Sequence, residues 1–218
     1  MAIRVLLVDD HEIVRFGLHT LLHKQTGLEV VGQAKDGLEA VELAERLIPD
    51  IIVLDVSMPK MNGIEAARQI RKALPECRIL VLSMYDRKHY VMDMLAVGIS
   101  GYILKVNVVQ QLIPAIKAVL EGDIYLCPKI AKLITTQCLL GGDDITVHMP
   151  ASELTGRERQ VLQLLAEGKS SKQIAHILKI GENTIVTHRQ NIMKKLDRHS
   201  IASLTKYAIQ QGITSLDI

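Results

Sequence analysis

Five short apolar runs alternate with five amphipathic segments over the first 122 residues. The runs, at about 3–8, 28–34, 51–54, 78–82 and 100–104, are rich in Val, Ile and Leu, as in strands buried on both faces. Between them, near 11–25, 37–48, 63–74, 87–97 and 108–121, apolar residues recur at helical spacing. Leu38, Val41, Leu43, Ala44, Leu47 and Ile48 form one such set. Gly37, Gly63, Gly98, Gly122, Pro49 and Pro75 punctuate the ends. Five βα units leave few alternatives to an α/β fold. A five-stranded parallel sheet is expected, doubly wound, with right-handed crossovers and helices on both faces.

Four of these strands end on a polar group: Asp9-Asp10 after the first, Asp55 after the third, Ser83 after the fourth and Lys105 after the fifth. The carboxyl edge of an open parallel sheet is where ligands bind. Three carboxylates, a hydroxyl and an ammonium at one edge suit a divalent cation together with a phosphoryl group. Mg²⁺ takes oxygen ligands, keeps several waters and commonly uses one or two carboxylates. Asp10 and Asp55 are the expected direct ligands, with Asp9 holding a ligated water and the Ser57 carbonyl completing the set. A carboxylate can accept a phosphoryl group, and that role falls to Asp55. Lys105 is placed to pair with one phosphoryl oxygen and Ser83 to donate a hydrogen bond to another.

The remainder of the chain has a different character. Residues 1–122 hold 14 Lys and Arg against 15 Asp and Glu, whereas 151–218 hold 10 against 6. A basic C-terminal segment suggests contact with a polyanion. Residues 123–150 read as a linker, with Pro128 in the first turn of a short helix and Gly141-Gly142-Asp143-Asp144 breaking it. From 151 onward the strand patterns vanish and an all-α, four-helix unit is expected. Thr155-x-x-Glu158 and Ser170-x-x-Gln173 are capping boxes opening two helices. Gly181 turns the chain into a third helix, about 182–197, and a fourth follows at about 200–211. The middle two form a helix-turn-helix. Cys77, Cys127 and Cys138 lie far apart, so neither a zinc site nor a disulfide framework is expected, and a reducing cytoplasm fits. The chain opens directly into a strand, without a signal peptide, and no apolar run approaches a membrane span.

The set Asp9-Asp10, Asp55, Met58-Pro59-x-Met61-x-Gly63, Ser83 and Lys105 resembles the receiver domain of two-component response regulators, over about residues 1–122. The resemblance implies a flavodoxin-like fold, Mg²⁺ and a sensor histidine kinase as partner, and it casts Tyr102 as an aromatic switch that follows the Ser83 hydroxyl. Val106 follows Lys105 where many receivers carry proline. Leu154-Thr155-x-Arg157-Glu158 through Lys195-Leu196 resembles the DNA-binding domain of LuxR-type regulators. The two together match the NarL/FixJ class.

In the third helix of the second unit, Ile185, Ile192 and Leu196 mark the inward face, and His188 on its border reads as a packed structural histidine. Thr187, Gln190 and Lys194 share another face, which can enter the major groove of double-stranded DNA. Gln190 suits adenine and the Thr187 methyl a thymine methyl. Lys172, Asn183, Thr184, Arg189 and Lys194 suit phosphates. Val186 stands where relatives often carry lysine, and it either meets a thymine methyl or weakens binding.

The combined reading is a phosphorylation-controlled, sequence-specific transcription factor, not an enzyme, acting in the cytoplasm as a homodimer when phosphorylated. Unphosphorylated, the receiver is expected to cover the recognition helix. Ile201, Leu204, Tyr207 and Ala208 on the last helix offer either a dimer surface or core. Two rival readings are a receiver whose tail binds protein and a slow phosphohydrolase. The latter lacks an acid–base carboxylate two residues after Asp55, where Ser57 stands.

Overall fold

The computed structural model of the protein describes residues 2–86, 88–139 and 154–214. Strands β1 (Ile3–Val8), β2 (Leu28–Ala34), β3 (Ile51–Asp55), β4 (Arg78–Ser83) and β5 (Gly101–Leu104) alternate with helices α1 (Glu12–His23), α2 (Gly37–Leu47), α3 (Gly63–Ala73), α4 (Lys88–Val97) and α5 (Val108–Glu121). All strand pairs are parallel. The order is β2-β1-β3-β4-β5, followed by a short sixth strand, so the chain reverses its direction of travel between β1 and β3. That reversal opens the crevice in which open α/β sheets bind ligands. Val5–Val8, Ile51–Leu54 and Ile79–Leu82 have no exposed surface, because helices cover both faces of the central strands.

The sheet has six strands rather than the expected five. After Gly122 closes α5 at φ 99, Tyr125–Leu126 (β6) pairs with Gly101–Tyr102. Two residues without a periodic pattern gave no strand signal, yet they cover the edge that β5 would otherwise expose. Helix α6 (Pro128–Leu139) follows, with Pro128 in its first turn as expected. The Gly-rich tether expected at 141–150 lies outside the described residues.

The second unit comprises α7 (Gly156–Ala166), α8 (Ser171–Leu178), α9 (Glu182–Leu196) and α10 (Ile201–Gln210). Both expected capping boxes are formed, at Thr155/Glu158 and Ser170/Gln173. Val161, Leu162, Leu164, Ile174, Ile185, Ile192, Leu204 and Ala208 make its core. Leu204 and Ala208 are therefore spent within their own domain. Helix α7 is buried on its polar side as well: Glu158, Gln160 and Gln163 are all under 5% exposed. Its second face packs on the receiver, against the loop between β3 and α3. Among the described residues no helix is long and apolar enough to cross a membrane.

Candidate functional site: an acidic crevice and a basic helix face

The crevice is built from strand ends. β1 runs straight into Asp9, which is fully buried, and Asp10, whose side chain is 29% exposed. β3 ends on Asp55, 2% exposed, whose carboxylate accepts from the Val56 N–H at 2.8 Å. Ligand atoms of Asp9, Asp10, His11 and Asp55 lie within 4.8 Å of one another. Lys105 Nζ sits 2.7 Å from Asp9 Oδ2 and 2.8 Å from Asp55 Oδ2. Sequence reasoning missed His11, although it directly follows the acid pair. Its Nδ1 is 2.9 Å from Asp10 Oδ1. Asp9 is further fixed by the His11 N–H, which donates to Oδ1 at 2.9 Å, and by Arg15, which donates to its carbonyl at 2.7 Å.

Burial pushes the Asp55 carboxyl up to about 6; Lys105 opposes that rise and the Asp9 charge adds to it. For Lys105, burial works against the charge, but Asp55 and Asp9 outweigh it and the ammonium is held above its ordinary range. The donor set fits a hard divalent cation. Asp9 Oδ2 lies 2.7 Å from Lys105 Nζ and Asp10 Oδ1 lies 2.9 Å from His11 Nδ1. Buried carboxylate oxygens that converge on one crevice are the ligands such a cation requires.

Close backbone packing holds Asp55 in place. Helix α3 starts at Gly63, where a Cβ would fall 2.1 Å from the Asp55 carbonyl oxygen and 2.9 Å from the Val56 Cα. Asn62 caps this helix by accepting from the Glu65 N–H at 2.9 Å. On the other flank, Ser83 is fully buried at the end of β4, and its hydroxyl accepts from the Tyr85 N–H at 3.0 Å. Tyr102 is also fully buried and points inward, its hydroxyl donating to the Tyr85 carbonyl at 2.8 Å. Burial raises the Tyr102 phenol well above its usual range, opposed by a hydrogen bond with Ser83. Val106 lies in the single turn Lys105–Asn107 and is 71% exposed.

The second candidate surface is α9. Asn183, Thr184, Val186, Thr187, Gln190 and Lys194 are exposed, as is Lys172 on α8, while Arg189 is half-buried. Ile185 and Ile192 face the core and His188 is partly buried at the border. Gly181 occupies the N-cap without a side-chain bond. In this structure the receiver leaves that face open, contrary to expectation. It takes α7 and the turn after α10 instead, where Asn62 Nδ2 donates to the Ile213 carbonyl at 2.9 Å.

Residues 5–117 match the response regulator receiver domain, and residues 152–208 match the bacterial regulatory proteins of the luxR family. This chain is a response regulator with a LuxR-type DNA-binding domain. It is 39% identical to the transcriptional regulatory protein LiaR of Bacillus subtilis, covering 94% of this chain and 96% of that one. It is 34% identical to the transcriptional regulatory protein DegU of Brevibacillus brevis, covering 96% and 94%. Among solved structures it is similar to the RcsB response regulator of Salmonella typhimurium, with a TM-score of 0.59 and 27% identity over 94% of this chain and 97% of that one. A structure of an RcsB–DNA complex is similar at a TM-score of 0.60 and 26% identity, over 95% and 98%.

Proposed function

We propose that this response regulator is phosphorylated on Asp55 by a sensor histidine kinase and thereby controls sequence-specific binding to double-stranded DNA in the cytoplasm. The domains are taken as receiver 1–122, linker 123–150 and DNA-binding unit 151–218. The supporting observation is the crevice itself: Asp55 stands at the sheet's reversal point, paired with Lys105 and grouped with Asp9, Asp10 and His11 within 4.8 Å. Bound Mg²⁺, held by Asp9, Asp10, Asp55 and the Ser57 carbonyl, would offset repulsion between the carboxylate and the incoming phosphoryl group.

An Asp55 carboxylate oxygen attacks phosphorus, the bond from phosphorus to the kinase histidine breaks, and the histidine nitrogen keeps the electron pair. Lys105 then transfers its pairing from Asp55 to a phosphoryl oxygen, and the Ser83 hydroxyl turns to donate to another. That turn withdraws the acceptor now used by the Tyr85 N–H. Tyr102 holds the Tyr85 carbonyl, so both residues carry the change into the segment after β4. Ser57 supplies no acid–base carboxylate to speed hydrolysis. The chain therefore acts as a switch and not as a phosphohydrolase.

On DNA, α9 enters the major groove. The Thr187 hydroxyl donates to the Asn183 carbonyl at 3.1 Å, which leaves its methyl for a thymine methyl. Gln190 reads adenine, Val186 lies on the same exposed surface, and Lys172, Asn183, Thr184, Arg189 and Lys194 hold phosphates. A homodimer places two such helices on two half-sites. The test is intact-mass and peptide mapping after incubation with a small acyl phosphate and Mg²⁺. A single phosphoryl group on the peptide containing Asp55, lost in Asp55→Asn, supports the proposal. Label persisting in that variant places the acceptor elsewhere.

A further inference from the structure

The loop that follows Asp55 is held from the other domain. Gln163 on α7 is 1% exposed and spends its whole amide on contacts at the domain boundary. Its Nε2 donates to the Met58 carbonyl at 2.9 Å and to Glu167 Oε1 at 2.8 Å, while its Oε1 accepts from the Asn62 N–H at 2.9 Å. One turn further along α7, the Glu167 carboxylate accepts from the Lys60 N–H at 3.1 and 3.3 Å. Beside them, Arg159 pairs with Glu65 on α3 at 3.0 Å. Two side chains of the DNA-binding domain thus bind three main-chain groups of the segment Met58–Asn62.

The receiver supplies part of what holds that segment in shape and the DNA-binding domain supplies the rest. Lys60 has φ 66, a left-handed conformation uncommon for a residue with a Cβ. Three contacts hold it here: the Met61 N–H donates to the Pro59 carbonyl at 2.8 Å across the turn, Lys60 Nζ pairs with Asp36, the cap of α2, at 2.5 Å, and the Lys60 N–H is fixed by Glu167. The first two belong to the receiver and the third does not. Ser57, whose carbonyl is assigned to the metal above, lies between Asp55 and the gripped Met58.

We infer that Gln163 and Glu167 of the DNA-binding domain are positioning residues for the receiver's cation site, holding the Met58–Asn62 loop in the shape that presents the Ser57 carbonyl. They touch neither cation nor phosphoryl group and act through the loop. The inference depends on the cation site proposed above. Coupling of this kind is reciprocal: a cation in the crevice tightens the receiver's hold on α7, and an opened domain boundary weakens the cation site.

The test is Mn²⁺ binding to the full-length chain, followed by loss of the free-ion paramagnetic resonance signal. Four variants are compared with the parent: Gln163→Ala, Glu167→Ala, Lys206→Ala on the exposed side of α10, and Asp10→Asn. Loss of one net hydrogen bond's worth of positioning weakens Mn²⁺ binding about fivefold. That is expected for Gln163→Ala and for Glu167→Ala, with Lys206→Ala unchanged. Circular dichroism confirms that each variant is folded. Asp10→Asn separates the two claims. If it binds as tightly as the parent, the cation site itself is wrong. If it loses binding while Gln163→Ala and Glu167→Ala bind as the parent does, only the positioning role is overturned. Tighter binding in those two variants also overturns it.

Discussion

Lys105→Met removes a charge and keeps most of the side-chain stem. The Lys105 side chain is 11% exposed, and its partners Asp9 and Asp55 are 0% and 3% exposed. At 2.8 Å and an effective dielectric of about 20, each pairing has a Coulomb energy of roughly 6 kcal/mol before desolvation is subtracted. Desolvation cancels much of that, and removing one partner of a buried pair costs about 3–5 kcal/mol. Two buried carboxylates can relieve part of the loss by sharing a proton, so we expect about 3 kcal/mol. The assay is urea unfolding of parent and variant, with and without excess Mg²⁺. A bound cation replaces the missing positive charge and stabilises only the folded state. The deficit should therefore shrink to about 1 kcal/mol or less when Mg²⁺ is present. An equal deficit in both buffers would refute the reasoning, because the cation would not be occupying the space between these carboxylates.

Gly63→Ala places a Cβ 2.1 Å from the Asp55 backbone oxygen, so α3 must shift; we expect a loss of about 3 kcal/mol or more in unfolding experiments, the upper range for overpacking, together with slower labelling of Asp55. For Glu158, burial opposes the charge but the Lys195 hydrogen bond and the Thr155 N–H outweigh it, holding the carboxyl below its usual range. Its stabilising contribution is thus present above the unfolded carboxyl range and lost as pH falls through the folded value. Glu158→Gln should destabilise the DNA-binding domain by about 2 kcal/mol at neutral pH and converge on the parent in acid melts. Val186 is 42% exposed on α9; Val186→Lys should strengthen DNA binding and steepen its salt dependence by about one counterion, and identical salt slopes would remove this position from the interface.

Most of the receiver was legible because its signals are redundant. Buried parallel strands must be apolar on both faces, so their limits follow from composition, and each ends where a polar residue begins. Asp9, Asp55 and Lys105 could be located at one sheet edge for the same reason. β6 was not legible, since Tyr125–Leu126 is too short for any period and owes its pairing to the open edge of β5. The domain boundary was invisible for a different reason. Gln163 and Glu167 read as ordinary polar helix residues, and it is the main-chain groups of Met58, Lys60 and Asn62, about a hundred positions away, that give them partners. Main-chain hydrogen bonding across such a separation leaves no pattern in a sequence. The expectation that the receiver covers α9 failed on the same point: the polar face of α7, not α9, holds the buried side chains.

The central claim is that the state of Asp55 governs DNA recognition. The most direct measurement is a selection from random double-stranded DNA by the full-length chain, with and without beryllofluoride and Mg²⁺ to mimic a phosphoryl group, and repeated with Asp55→Asn. A two-fold-symmetric motif enriched by the parent chain only in the presence of the mimic, and not by Asp55→Asn, is the predicted result. Equal enrichment in both states, or no motif in either, would contradict the account.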